Sequence, residues 1–323
     1  MNYKPTYSVA IVGAGRIGCG FDSPDSPHVL THAHAVAGNP RTTLVAIVEP
    51  DSERGKREGK KWQAPLFGSL DDMFASVKPD IVIIATPDAT HTEVLERVYP
   101  HSPGLIICEK PVASTAADAQ RVRALSKDIP VIVNFSRRFD TTVQELAQDI
   151  QSGRYGTIIS ASGLYGKGIL HNGCHVIDTA RYLFGEMLSS VPHFSVDDFP
   201  EGEPSVGSVA SFERCEQFYL MAADWREYSI LELDILAEKA RLRFTDEGRT
   251  LSVHDIVADP LYDGYKILGE PQMRTTGLIH SIEKLIRHSV AILDGTEVSL
   301  STIDNALMSE AACRSIARGL KRV

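Results

Sequence analysis

Ser8-Val9-Ala10-Ile11-Val12-Gly13-Ala14-Gly15-Arg16-Ile17-Gly18 is a short β-branched run that ends in three glycines spaced G-x-G-x-x-G. Directly after a strand, the first glycine allows a tight turn and the second lets the backbone approach a pyrophosphate. The third lets a helix pack closely on the strand. The helix start then offers unpaired N–H groups and the positive end of its dipole to phosphates. Gly13, Gly15, Arg16, Ile17 and Gly18 are therefore the first candidate cofactor-binding residues. Glu49 closes the next β-branched run, Thr43 to Val48, where a carboxylate would accept hydrogen bonds from both ribose hydroxyls. It would repel a 2′-phosphate, so NAD is expected rather than NADP.

Glu49 lies 31 residues beyond Gly18, where about 20 is usual. The excess falls in Cys19 to Leu30, and Asp22-Ser23-Pro24-Asp25-Ser26-Pro27 cannot be an ordinary helix interior. An inserted loop is expected there, with the helix resuming near Thr31 to Ala37. The loop is either a surface bulge or a flap carrying Asp22 or His28 over the cofactor or the substrate mouth.

Working outward, strand and helix patterns alternate through residue 134. Ile81 to Ala85, Leu105 to Cys108 and Val131 to Val133 are apolar on both faces, as strands covered by helices must be. Leu70 to Val77, Thr90 to Val98 and Ala116 to Leu125 read as helices, the last capped by Ser114 or Thr115. This predicts an α/β, doubly wound parallel sheet over residues 1–134. Beyond it, Thr141 to Gln151 reads as a helix. Strand-like segments follow at Thr157 to Tyr165, Val206 to Phe212, Gln217 to Ala222, Ser229 to Leu236, Ala240 to Phe244 and Leu251 to Val253. Helices Thr276 to Leu293 and Thr302 to Arg318 close the chain. Residues 135–323 are thus expected to form an α+β domain with an open, mainly antiparallel sheet, its last helix free to return to the first domain.

At 323 residues the chain has room for about two domains. With 43% hydrophobic and 23% charged residues it is neither disordered nor fibrous. Lys and Arg total 33 against 42 Asp and Glu, a net charge of −9, so nothing draws it electrostatically to nucleic acid or an acidic membrane face. No apolar stretch could span a bilayer. Met1 to Pro5 lacks the apolar core of a signal peptide, and a cytoplasmic protein is expected. Five scattered cysteines without a CxxC pair argue against a disulfide framework or zinc knuckle. His28, His32 and His34 lack a carboxylate or thiolate completing a ligand pattern, so no metal is expected. Cys174 is read as a small apolar filler, and Trp62 and Trp225 as packing residues.

Glu109-Lys110-Pro111 follows one apolar strand, and Thr86-Pro87 with His91 follows another. Downstream stand Arg138-Phe139 and Gly173-Cys174-His175-Val176-Ile177-Asp178. In this order and spacing the motifs resemble those of the glucose–fructose oxidoreductase and inositol dehydrogenase family, Gfo/Idh/MocA, over essentially the whole chain. The resemblance implies hydride transfer between a nicotinamide and a hydroxyl-bearing carbon of a sugar, cyclitol or nucleotide-linked sugar. It implies a second domain that binds substrate and often builds a dimer; a homodimer or homotetramer through the C-terminal sheet is expected. The family's lysine falls on Lys110 and its histidine on His175. The Thr86-Pro87 turn, with His91, would lie along the cofactor, and Glu109 near the nicotinamide.

The chemistry of these residues fits independently. Oxidising an alcohol requires a near-neutral base at the hydroxyl as hydride leaves carbon. His175 at a helix start would have its charged form disfavoured and remain an acceptor. A cationic Lys110 could donate to the same oxygen and stabilise developing negative charge. Which of the two takes the proton is left open. Asp178 is read as structural. Many relatives carry Asp where this chain has His171. His171, Asn172, Lys167 and Arg138 are the candidate substrate contacts, and the positive charge of Lys167, Arg137 and Arg138 favours an acidic ligand. The alternative is a non-catalytic regulator that senses NAD or a sugar on the same fold.

Overall fold

The computed structural model describes residues 5–125, 128–199 and 202–320. The chain separates into two compact units, Met1–Phe139 with Ile279–Leu307, and Asp140–Leu278 with Met308–Val323.

In chain order the first unit contains β1 (Tyr7–Val12), α1 (His32–Gly38), β2 (Thr42–Val48), α2 (Ser52–Trp62), β3 (Leu66–Phe67), α3 (Leu70–Ser76), β4 (Ile81–Ile84), α4 (His91–Val98), β5 (Leu105–Cys108), α5 (Ala116–Ala124) and β6 (Val131–Val133). All six strands are parallel, in the order β3-β2-β1-β4-β5-β6. The order reverses between β1 and β4, and in such sheets ligands bind outside the carboxyl ends of the strands at that point. Every residue of β4 and β5 is buried, which explains their unbroken apolar sequence. Helix starts are fixed by side chains: Asp51 caps α2, Ser69 caps α3, and Thr115 caps α5 in a reciprocal box with Asp118.

The second unit follows with α6 (Thr141–Gln151), β7 (Ile158–Tyr165), α7 (Cys174–Phe184), β8 (Met187–Val196), β9 (Ser205–Phe212), β10 (Cys215–Ala222), β11 (Leu231–Ala237), β12 (Ala240–Thr245), β13 (Thr250–Ala258), β14 (Lys266–Leu268) and β15 (Gln272–Thr275). Its nine strands run β14-β13-β12-β11-β7-β10-β9-β8, with β15 also on β13; β7 and β10 are parallel and the remaining pairs antiparallel. One face is packed. Phe184 of α7 meets Phe212 and Phe218 of the sheet, and a side chain at Gly163 would come within 2.3 Å of Val176 Cγ1. Helix α7 therefore rests directly on β7. The other face is open: Val191, Val209, Tyr219, Ser162 and Asp234 form one row across five strands, and Val191 and Tyr219 are exposed.

Helix α8 (Ser281–Leu293) belongs to the first unit. Its end is tied to β1 by Asp294, which accepts hydrogen bonds from Tyr7 Oη at 2.8 Å and Arg41 Nη1 at 3.0 Å. Helix α9 (Ile303–Arg318) starts in that unit and finishes in the second. Trp62 is buried as expected, whereas Trp225 is 37% exposed and is not a core residue.

Candidate active site

At the end of β1 the three glycines have separate physical causes. Gly13 has φ +97°, and a Cβ there would lie 2.5 Å from the Ala85 carbonyl oxygen. A Cβ on Gly18 would lie 2.3 Å from the Gly13 oxygen. Gly15 differs, since a Cβ there meets nothing within 4 Å. Two of the glycines are thus required by packing, whereas the space beside Gly15 is open. The following helix is a single wide turn, Arg16–Gly20, in which the Cys19 and Gly20 N–H groups both donate to the Gly15 oxygen at 3.0 Å. Helix α1 starts only at His32, capped by Thr31 Oγ1. The long helix expected directly behind the glycines is thus replaced by one short turn, whose N–H groups are the donors next to Gly15.

The inserted segment is anchored. Lys61 Nζ and Trp62 Nε1 donate to the Cys19 oxygen at 2.6 and 2.9 Å. Buried Asp22 accepts from Leu30 N, Thr31 N, Thr31 Oγ1 and His34 Nδ1, so it does not reach outward. Pro24, Asp25, Pro27 and His28 form the exposed tip. Asp22→Ala leaves those donors without their acceptor and is expected to cost about 2–3 kcal/mol. Thermal unfolding and limited proteolysis check it: the melting point should fall and cleavage should begin between residues 19 and 31.

Glu49 directly follows β2, where the carboxylate was expected. Its Oε2 accepts from Ala14 N at 3.0 Å, and its Oε1 accepts from Asp51 N at 3.0 Å and Arg54 Nη2 at 3.2 Å. After β4, Thr90 Oγ1 donates to Thr86 Oγ1 and the Pro87 oxygen, which fixes the Thr86-Pro87 turn. His91 is wholly buried, its two ring nitrogens 2.6 and 2.7 Å from the Pro111 and Thr86 carbonyl oxygens. It straps the turn after β4 to the segment after β5.

After β5 come Glu109, half-buried Lys110 and Pro111. Glu109 Oε1 accepts from His32 Nε2 and Asn134 Nδ2, each at 2.7 Å. Burial pushes the Glu109 carboxyl up, but these two hydrogen bonds and the His32 and Lys110 charges outweigh it and hold it below the ordinary carboxylate range. His32 Nδ1 and Asn134 Oδ1 are buried and have no hydrogen-bond partner among the described residues. His32 and Asn134 escape a sequence reading, because His32 and Glu109, 77 positions apart, carry no local signal of their pairing. As pH falls, the unfolded chain takes up this proton first. The contribution of Glu109 is complete above about pH 4.5 and is lost as the pH drops through the lower folded value. Glu109→Gln should therefore melt lower than the native chain at pH 7, and the gap should shrink below pH 4.5.

In the second unit, a wide turn, Gly168–Gly173, leads into α7. Within α7 only His175 and Tyr182 are not buried, so the helix presents His175 from an otherwise packed surface. Glu203 Oε1 accepts from the Leu170 and His171 N–H groups, and the His171 ring stacks on Phe199 at 4.6 Å. Lys167 has φ +73°; its N–H donates to Asp198 Oδ2 at 2.6 Å and its Nζ lies 5.0 Å from the Trp225 ring centre. Asn172 Nδ2 donates to the Gly166 oxygen at 3.0 Å. Asp178 accepts from Ser309 Oγ at 2.8 Å, in keeping with a structural role. Arg138, in the first unit, is buried and donates to the Leu300 oxygen at 3.3 Å. Among the described residues no group of three His, Cys, Asp or Glu could hold a metal ion, and no helix is long and apolar enough to cross a membrane.

A family model described as "Oxidoreductase family, NAD-binding Rossmann fold" matches residues 7–135. An inositol 2-dehydrogenase of Renibacterium salmoninarum is 32% identical over 199 residues, 57% of this chain and 56% of that one. The chain spans about half the length of the curated relatives it matches. Two solved structures share the fold. A putative NADPH-dependent oxidoreductase from Desulfitobacterium hafniense has TM-score 0.79 at 16% identity, covering 98% of this chain and 96% of its own. The WlbA dehydrogenase from Bordetella pertussis, in complex with NADH and UDP-GlcNAcA, has TM-score 0.77 at 19% identity, covering 97% and 96%. Residues 7–135 thus match the NAD-binding Rossmann fold of an oxidoreductase family, and the glycine turn and the strand order of the first unit are those of that fold.

Proposed function

We propose that this chain is an NAD(H)-dependent oxidoreductase acting on a CH–OH carbon of a sugar, cyclitol or nucleotide-sugar. The observation that carries the reading is the open cradle at Gly15 beside a fixed Glu49 carboxylate, at the switch point of a parallel sheet. Relatives named for inositol and a neighbour named for NADH with UDP-GlcNAcA support the substrate class. The first unit holds the cofactor, and the second serves substrate and subunit contacts. Arg16 and Ile17 N–H groups face the phosphates, Glu49 takes the ribose hydroxyls and favours NAD over NADP, and Thr86, Pro87, His91 and Glu109 shape the nicotinamide side.

A nicotinamide dinucleotide bound there supplies the hydride acceptor or donor. Lys110, cationic on the segment after β5, donates a hydrogen bond to the reacting substrate oxygen and stabilises negative charge on it. His175 accepts the hydroxyl proton. His171, Asn172, Lys167 and Arg138 contact the remaining substrate hydroxyls or acidic groups. The open sheet face, with exposed Val191, Tyr219, Met221 and Leu236, pairs with a second copy to make a homodimer or homotetramer. Five buried free cysteines suit the reducing cytoplasm. The test is absorbance at 340 nm after mixing the protein and NAD+ with inositols, aldoses and UDP-sugars. Reduction with one substrate class supports the reading. NAD+ binding without turnover on any of them points to a sensing protein.

A further inference from the structure

We propose that Arg54 is a specificity-determining residue for the cofactor and that the Glu49–Arg54 pair, rather than Glu49 alone, sets discrimination at the adenosine ribose. The proposal rests on the cofactor reading above.

Backbone N–H groups of Ala14 and Asp51 hold the Glu49 carboxylate, one on each oxygen, so its place does not depend on any side chain. Arg54 sits in the first turn of α2, where its own N–H is bound by the capping Asp51 carboxylate. Its guanidinium covers Glu49, with Nε 3.1 Å from Oε2 and Nη2 3.2 Å from Oε1, and Nη2 lies 3.6 Å from Asp51 Oδ2. The Glu49 side chain is 5% exposed and that of Arg54 is 43% exposed, so the arginine forms the outer layer of the pair.

A carboxylate offers about four lone-pair positions. Two are taken by backbone and a third by Arg54 Nη2, while Arg54 Nε stands 3.1 Å from Oε2 without a hydrogen bond to any described residue. A ribose diol reaching Glu49 must therefore meet Arg54 first. The cluster of Glu49, Asp51 and Arg54 carries one net negative charge, which opposes a 2′-phosphate although a cation stands at the front. Without Glu49 the guanidinium is released and the cluster becomes neutral, which suits a phosphate. Without Arg54 the cluster holds two uncompensated carboxylates and rejects a phosphate more strongly.

The experiment is titration of the purified full chain with NAD+ and with NADP+, following intrinsic fluorescence or heat, so that no substrate is needed. The native chain should bind NAD+ more tightly. Glu49→Ser should shift the NADP+ to NAD+ affinity ratio towards NADP+ by about tenfold or more, and Glu49→Ser/Arg54→Gln should lose that gain. Arg54→Gln alone, at an exposed side chain that leaves the fold intact, should shift the ratio further towards NAD+. An unchanged ratio in Arg54→Gln, or a double variant that keeps the full gain, overturns the role of Arg54. A native chain that binds neither dinucleotide removes the cofactor reading, and this proposal with it.

Discussion

Alanine at Lys110 or at His175 is expected to cut turnover by roughly two to four orders of magnitude while NAD+ affinity stays near that of the native chain. The two losses should differ in kind. Lys110 offers a charge and a donor, so Lys110→Arg should recover part of the rate and Lys110→Met none, at any pH. His175 offers a proton acceptor, so the rate of His175→Ala should climb with pH as hydroxide replaces the missing base. Thr179 Oγ1 donates to the His175 carbonyl oxygen and Asp178 holds Ser309, so the backbone of α7 survives truncation of the imidazole. Single-turnover kinetics at several pH values, with NAD+ titration in parallel, provides the check. Near-native turnover in either alanine variant dismisses that residue from the chemistry.

Much of the nucleotide unit is legible because its signals are local. Strands buried on both faces write themselves as unbroken apolar runs, such as Ile81 to Ile84, and the cap Thr115 announces its helix. The proline-rich insert after Cys19 is legible for the same reason. Helix α2 is not. Ser52 to Trp62 holds two glycines and one large apolar residue, Trp62, and its capping Asp51 is its clearest mark. Strand β8 hides differently: it lies at the sheet edge, half exposed, where Pro192 and several serines are tolerated and blur the alternation. The candidate site divides along the same line. Motif residues are readable, whereas Arg54 over Glu49 and His32 against Glu109 arise from tertiary packing and leave no trace in spacing.

Gly13→Ala and Gly15→Ala, one methyl group each, should fail in opposite ways. At Gly13 the backbone has φ +97°, and the new Cβ would sit 2.5 Å from the Ala85 oxygen and 2.9 Å from the Thr86 nitrogen. Neither neighbour can yield, since Ala85 N donates to the Val12 oxygen in the β1–β4 pairing at the centre of the sheet. The left-handed backbone costs about 1–2 kcal/mol and the overlap about 1–3 kcal/mol more. The expected result is a clear fall in melting point, with NAD+ affinity lost as the turn after β1 shifts. At Gly15 the backbone is extended and nothing lies within 4 Å of the added methyl, so the melting point should match that of the native chain. Its effect should appear only with ligand, as NAD+ affinity at least about tenfold weaker, because the methyl fills the space a pyrophosphate needs. Calorimetry on both variants, with and without NAD+, separates the packing requirement from the binding requirement. Native affinity in Gly15→Ala would move the phosphates away from the glycine turn and remove the observation that carries the proposed function.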